Sequence, residues 1–151
     1  MNASIKTIKS LNNTQEMIRT IGEKPLGTAL LAFRDMSSII SKHIQGINAL
    51  DFGCGAGRSS RMLKEFGLKV TAVDISIKMI DQAIKASKDI NYILIEKDCF
   101  KNIEEKYDLI LISFVLMEIS SKQEIVMLIR ACLQFIPDAY VPRLVRGIQT
   151  I

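Results

Sequence analysis

A regular alternation of strand-like and helix-like segments between Gly46 and Ile136 is the feature that most constrains the fold of this chain. Apolar runs predict strands, and segments with helical periodicity separate them. Residues 109–112 (Leu-Ile-Leu-Ile) are apolar without interruption, which is typical of a strand buried on both faces of a parallel sheet. Crossovers between parallel strands are right-handed. We therefore expect an α/β, Rossmann-like, doubly wound and mainly parallel sheet with helices on both faces.

Local signals predict where these elements begin and end. The predicted strands are 47–52, 68–73, 92–95 and 107–113, and the predicted helices are 58–66, 76–87 and 121–135. Ser76 should cap the second helix, Gly67 should follow the end of the first, and Ser121 with Glu124 has capping-box spacing. The preceding residues also show helical periodicity. We therefore predict a helical cap or lid over 1–45 and one folded domain over 46–151.

Composition and charge exclude several classes of protein. The chain has 151 residues, 48% of them hydrophobic and 24% charged, which suits a single globular domain. Its net charge of +4 comes without adjacent Lys or Arg residues, which argues against nucleic acid as a partner. No apolar run is long enough to span a membrane. Cys54, Cys99 and Cys132 are widely spaced and His43 is the sole histidine, so we predict no metal site and a cytoplasmic location.

The residues that follow the strands indicate a ligand site. The first strand runs into Asp51-Phe52-Gly53-Cys54-Gly55-Ala56-Gly57-Arg58, where glycines at alternate positions allow a ligand to approach the backbone. Asp74 ends the second strand, 21 residues after Gly53, where a carboxylate can accept hydrogen bonds from the two hydroxyls of a ribose. Asp98 follows the third strand and Ser113 the fourth. Parallel strands bring all four ends to one edge of the sheet.

The spacing of the glycines discriminates between ligands. In the dinucleotide fingerprint Gly-x-Gly-x-x-Gly the third glycine would stand where this chain has Arg58. Asp51 also places a carboxylate within the turn, which disfavours a pyrophosphate and favours an ammonium group. A nucleoside with a cationic tail therefore fits better than a nicotinamide dinucleotide, which stays as an alternative.

At this point the sequence resembles the class I S-adenosylmethionine-dependent methyltransferases over about residues 46–136. The matching motifs are 49–57 (Ala-Leu-Asp-Phe-Gly-Cys-Gly-Ala-Gly), 73–76 (Val-Asp-Ile-Ser) with Met79, 97–100 (Lys-Asp-Cys-Phe), and 107–116, which begins Tyr-Asp-Leu-Ile. The resemblance implies S-adenosylmethionine as cofactor, S-adenosylhomocysteine as product, and a small-molecule or protein methyl acceptor. It assigns no catalytic residue, since in-line methyl transfer depends on alignment of the reacting groups.

The resemblance also implies roles for individual residues. Asp51 and the backbone of Gly53 and Gly55 would hold the methionine ammonium, and Asp74 would bind the ribose hydroxyls. The other implied positions are Ile75 against one adenine face with Met79 nearby, Asp98 and the Cys99 N–H at the adenine edge, Ser113 and Phe114 beside the methionine or the acceptor, and Phe52, Cys54 and Gly57 in the turn.

The C-terminal part departs from the family pattern. Pro142 stands where a fifth strand is expected, and residues 140–151 show no closing hairpin. We therefore expect a sheet that lacks the family's final strands and a homodimer formed through its exposed C-terminal edge. The cofactor half looks complete and the acceptor half does not. A non-catalytic nucleoside-binding pseudoenzyme or interaction domain is therefore the alternative to an active methyltransferase.

Overall fold

The computed structural model describes residues 36–95, 103 and 105–138. Its elements are α1 (Met36–His43), β1 (Asn48–Phe52), α2 (Arg58–Glu65), β2 (Lys69–Asp74), α3 (Ile77–Ala86), β3 (Asn91–Leu94), β4 (Leu109–Leu111), a 3₁₀ turn (Leu116–Glu118) and α4 (Lys122–Leu133). Most of the predicted N-terminal cap, Asp98, Cys99 and residues 139–151 lie outside the described residues.

The four strands form one parallel sheet in the order β3-β2-β1-β4. The chain proceeds outward from β1 through β2 to β3 and then returns to place β4 on the other side of β1. The switch in direction therefore lies at β1, and ligands of such sheets bind at the carboxyl ends of the strands beside it. This arrangement confirms the predicted Rossmann-like fold.

Two apolar cores cover the two faces of the sheet, because successive side chains of a strand point to opposite faces. Ala49 and Ala72 belong to one core, which includes side chains of α1, α2 and α3. Leu50 and Val73 belong to the other, which includes Cys132 of α4. The expectation of helices on both faces is thereby confirmed.

The helix ends follow two of the three predicted signals. The Ser76 hydroxyl accepts a hydrogen bond from the Met79 N–H at 3.4 Å, and Gly67 adopts φ 85° just beyond α2. The predicted capping box at Ser121 is wrong. Ser121 precedes α4, but its hydroxyl donates to the Gln123 side chain at 2.9 Å and makes no cap. The hydroxyl donates to a neighbouring side chain and accepts no N–H group of the helix.

β4 is shorter and less buried than its sequence predicts. It has three residues, all half-buried, and within the described part of the chain it pairs with β1 alone. Its outer side borders an apolar groove of about 500 Å³ that Ile44, Ile129 and Leu133 help to line. The uninterrupted apolar run therefore reflects packing on two faces, beside an edge that no other described strand covers.

Among the described helices, none has both the length and the apolar content that crossing a bilayer requires.

Candidate cofactor site

The turn after β1 presents bare backbone at the switch point of the sheet. Gly53, Gly55 and Gly57 have φ values of 77°, 54° and 78°. This is a left-handed backbone conformation that residues other than glycine rarely adopt. The N–H groups of Gly53 and Cys54 both donate to the Val73 carbonyl, at 2.8 and 3.0 Å. These bonds fasten the turn to the end of β2 and leave Gly53 and Gly55 half-exposed.

Asp74, the last residue of β2, connects that strand to the glycine turn through its carboxylate. Its Oδ2 accepts the Gly55 N–H and its Oδ1 accepts the Ser76 N–H, both at 2.8 Å. Burial raises the pKa of Asp74, and the backbone hydrogen bonds from Ser76, Gly55 and Ile75 oppose that rise. A carboxylate offers about four acceptor positions. With the Ser76, Gly55 and Ile75 N–H groups as donors, at least one position remains for a ribose hydroxyl.

Asp51 lies beneath the glycine turn and is completely buried. The hydroxyls of Ser59 and Ser60, in the first turn of α2, both donate to its Oδ2 at 2.6 Å, while its Oδ1 has no hydrogen-bond partner in the described structure. Burial raises the pKa of Asp51 to about 6. The two hydroxyls lower this pKa, and the nearby Asp74 charge raises it further. An orphaned buried carboxylate oxygen suits a cationic group rather than an anion.

The end of β4 lies directly against the glycine turn. Phe114 has φ 63°, a rare conformation for an aromatic residue that costs about 1–3 kcal/mol, and its side chain is 40% exposed. The next residue, Val115, presses a methyl group against the Cα of Gly53, where a β-carbon would collide with it. Ser113 and Phe114 are thus brought to the same edge as Asp74 and the glycines.

The other predicted site residues have varied surroundings. Phe52 and Met79 are buried side chains, and Ile75 packs partly against the same core as Phe52. The Cys54 thiol is buried, which raises its pKa well above the usual value, and its Sγ donates to the Gly55 carbonyl at 3.6 Å. The roles of these residues toward a cofactor remain predictions.

Among the described residues, no group of three or more His, Cys, Asp or Glu side chains could hold a metal ion.

Sequence reasoning missed three residues that support the turn. Ser59 and Ser60 bind Asp51, and the Tyr92 hydroxyl lies 2.5 Å from where a β-carbon on Gly57 would be. The two serines carry a recognisable signal, because hydroxyls stand at the start of a helix whose sheet-facing side should be apolar. Tyr92 carries none, since a half-buried tyrosine is ordinary in a strand.

Comparison with known proteins agrees with this geometry. Residues 49–138, more than half of the chain, match the family described as "Methyltransferase domain". The chain belongs to this family. The resemblance of its motifs to the class I S-adenosylmethionine-dependent methyltransferases is thereby confirmed.

Two curated relatives of this methyltransferase domain have different acceptors in their names. Malonyl-[acyl-carrier protein] O-methyltransferase of Salmonella typhimurium is 38% identical over 65 residues, which is 43% of this chain and 26% of that protein. Ribosomal protein L11 methyltransferase of Thermosipho melanesiensis is 31% identical over 109 residues, 68% of this chain and 42% of that protein. The chain therefore spans less than half the length of either relative.

Two solved structures share the fold. Magnesium protoporphyrin IX methyltransferase from Synechocystis PCC 6803, crystallised with bound S-adenosylmethionine, has a TM-score of 0.69 at 18% identity, over 90% of this chain and 74% of that one. TehB from Haemophilus influenzae has a TM-score of 0.59 at 27% identity, over 74% of this chain and 38% of that one.

Proposed function

We propose that this chain binds S-adenosylmethionine at the glycine turn and takes part in methyl transfer to a small-molecule or protein acceptor. The observation that carries the proposal is the pair of buried carboxylates, Asp51 and Asp74, beneath a turn of bare backbone. Asp74 would bind the ribose hydroxyls with its remaining acceptor positions. The orphaned Oδ1 of Asp51, together with the turn, would face the ammonium of the methionine part.

Asp51 argues against a nicotinamide dinucleotide, whereas an acid at the position of Asp74 can bind a ribose of either ligand. A pyrophosphate in this turn would lie close to the carboxyl of Asp51, whereas dinucleotide sites offer it helix N–H groups. Both acids also have raised pKa values, so additional negative charge nearby would be unfavourable. The electrostatics of the turn thus support a ligand that brings a positive charge with its adenosine.

The chemistry required of the protein is alignment. When bound, S-adenosylmethionine supplies a methyl group on a positively charged sulfur. The residues of the chain would hold that donor and the acceptor in line and exclude water, which needs no general base. Phe114 and Ser113, at the end of β4, would form the wall on the acceptor side. The names of the curated relatives support acceptors carried by a protein or belonging to one.

Asp74→Ala is expected to weaken S-adenosylhomocysteine binding about 10- to 100-fold, because hydrogen bonds to a charged group contribute about 1.5–3 kcal/mol. Isothermal titration calorimetry of the folded variant measures this. Asp81→Ala, which removes an exposed carboxylate from α3, is the matched control and should leave the affinity unchanged. Unchanged affinity in Asp74→Ala would reject the ribose contact, and tighter binding of NAD than of S-adenosylhomocysteine would reject the proposed ligand.

Turnover separates the enzyme from its alternative, a non-catalytic nucleoside-binding protein. Transfer of a labelled methyl group from S-adenosylmethionine should be measured with malonyl-acyl carrier protein, ribosomal protein L11 and small nucleophiles as acceptors. S-adenosylhomocysteine release that depends on one acceptor supports the enzyme. Tight binding with no release on any acceptor supports the alternative.

We also propose a homodimer through the outer edge of β4. Within the described residues this edge has no second strand, so an antiparallel copy could supply partners for its N–H and C=O groups. Exposed apolar side chains of α4 continue the surface; they are Val126, Met127, Ile129 and Leu133. Apolar patches of this kind often mark interaction sites.

Ile129→Glu is expected to convert this dimer to a monomer, because it buries a charge at the interface. Light scattering on a size-exclusion column measures the mass. Lys122→Glu, at the exposed start of α4, is the control and should remain dimeric. A monodisperse wild-type monomer at high protein concentration would refute the dimer.

We also propose that the protein is located in the cytoplasm. Cys54 and Cys132 are free thiols in the structure, and both are buried. Free cysteines persist where the compartment is reducing. Fractionation of cells that produce the protein would test this location.

A further inference from the structure

The carboxyl of Asp51 has unusually one-sided hydrogen bonding. In the register of the sheet its neighbours are Ala72 on β2 and Leu111 on β4, which offer it no polar atom from their side chains. Its described hydrogen bonds come from the hydroxyls of Ser59 and Ser60, and both reach the same oxygen, Oδ2. Oδ1 is equally buried and has no hydrogen-bond partner among the described residues. One oxygen is therefore doubly satisfied while the other is left for a group that the described residues do not supply.

The groups around Asp51 determine when it carries a charge. Asp74 adds like charge from the end of β2, which favours the neutral carboxyl. Cys54 in the turn and Tyr92 on β3 have raised pKa values and stay neutral near pH 7. Arg61 of α2 donates to the Ala56 carbonyl at 3.0 Å. The hydrogen bonds from the two serine hydroxyls therefore favour the ionised form, against burial in an apolar surround.

We propose that Ser59 and Ser60 are positioning residues of the cofactor site: their hydroxyls orient Asp51 with Oδ1 free for the cofactor's ammonium and favour its ionised form. Binding at acid pH, where the free carboxyl is protonated, therefore releases a proton. The assignment rests on the proposed function, because it takes the ligand to be S-adenosylmethionine or its product. No bond in the ligand changes. A proton leaves the Asp51 carboxyl for the buffer as the ammonium arrives beside it.

The affinity for the ligand should depend on pH in a defined way. Where Asp51 is protonated in the free protein, ligand binding must first remove that proton, so affinity falls by up to about tenfold per pH unit. This fall should begin near pH 6, where burial places the pKa of Asp51. Removing a serine hydroxyl takes away a contact that favours the ionised form. Its loss should therefore move the onset to higher pH by about one unit and leave affinity at pH 9 nearly unchanged.

The experiment is a calorimetric titration of the full chain with S-adenosylhomocysteine from pH 5 to pH 9, in pairs of buffers with different heats of ionisation. Wild type should release a proton on binding near pH 5.5 and none at pH 8. Ser59→Ala and Ser60→Ala, each tested singly, should shift the onset upward, and Ser59→Thr should restore it. Ser87→Ala is the matched control, since it removes a hydroxyl from the exposed Asp89. Circular dichroism at each pH checks the fold.

Adenosine provides the second arm, since it has the ribose and adenine without the ammonium. It should bind with no proton release at any pH. A uniform loss of affinity at every pH in the serine variants would show a merely structural role and overturn the assignment. Proton release by adenosine equal to that by S-adenosylhomocysteine would also overturn it. If S-adenosylhomocysteine does not bind at any pH, the proposed function itself fails and this inference with it.

Discussion

Gly53→Ala is expected to lower the free energy of unfolding by about 3 kcal/mol. About 1–2 kcal/mol comes from placing a side chain at φ 77°. The rest comes from overpacking, which costs about 1–3 kcal/mol, because the new β-carbon would collide with a methyl group of Val115. The turn cannot easily move aside, since the Gly53 N–H is bonded to the Val73 carbonyl at 2.8 Å. Urea unfolding followed by circular dichroism measures the change.

Two further variants separate conformational strain from collision. Gly67 has φ 85°, and a β-carbon at this position would meet no atom within 4 Å, so Gly67→Ala should show the strain alone, about 1–2 kcal/mol. Val115→Ala removes the colliding methyl and leaves the Val115 Cβ at 3.5 Å. The double variant Gly53→Ala/Val115→Ala should therefore be more stable than the summed losses of stability of its two single variants predict. Equal costs at Gly53 and Gly67, or strictly additive effects, would show that the ends of β1 and β4 are not packed as described.

The features of the fold that are local in sequence could be predicted. The first three strands lie within one residue of their predicted bounds, β4 is two residues shorter than predicted at each end, and the cap at Ser76 forms as expected. These features depend on hydrophobic periodicity and on residues within a turn of one another. The capping box at Ser121 is equally local but does not form: its hydroxyl donates to the Gln123 side chain and accepts no helix N–H.

The sequence predicted which strand ends meet at the candidate site. It did not predict which atoms form hydrogen bonds there. Asp74 follows its strand as expected, yet its bond to the Gly55 N–H depends on how the turn folds back over β2. The bonds from Ser59 and Ser60 to Asp51 span eight and nine residues and one change of element. The contact of Val115 with Gly53 joins segments about sixty residues apart. Such contacts follow from tertiary packing, which a single sequence pattern does not encode.

Asp51→Asn is expected to stabilise the ligand-free protein at neutral pH while it weakens cofactor binding. Burial raises the pKa of Asp51 from 3.8 to about 6. The folded state therefore binds this proton more tightly than the unfolded state does. The carboxyl consequently favours folding most at acid pH, and this contribution is lost as the pH rises through about 6. A shift of about two units corresponds to about 3 kcal/mol, most of which is lost between pH 4 and pH 7.

The measurement is the difference in unfolding free energy between Asp51→Asn and wild type, from urea titrations at several pH values between 4 and 8. An amide is nearly isosteric with the carboxyl and does not titrate, so this difference should move in favour of the variant by about 2–3 kcal/mol over the range. Asp81→Asn, at an exposed position on α3, should show no such trend. S-adenosylhomocysteine should nevertheless bind Asp51→Asn more weakly, and without proton release. A pH-independent difference in stability would mean that Asp51 is ionised at little cost, and the burial of an uncompensated charge beneath the turn would then be refuted.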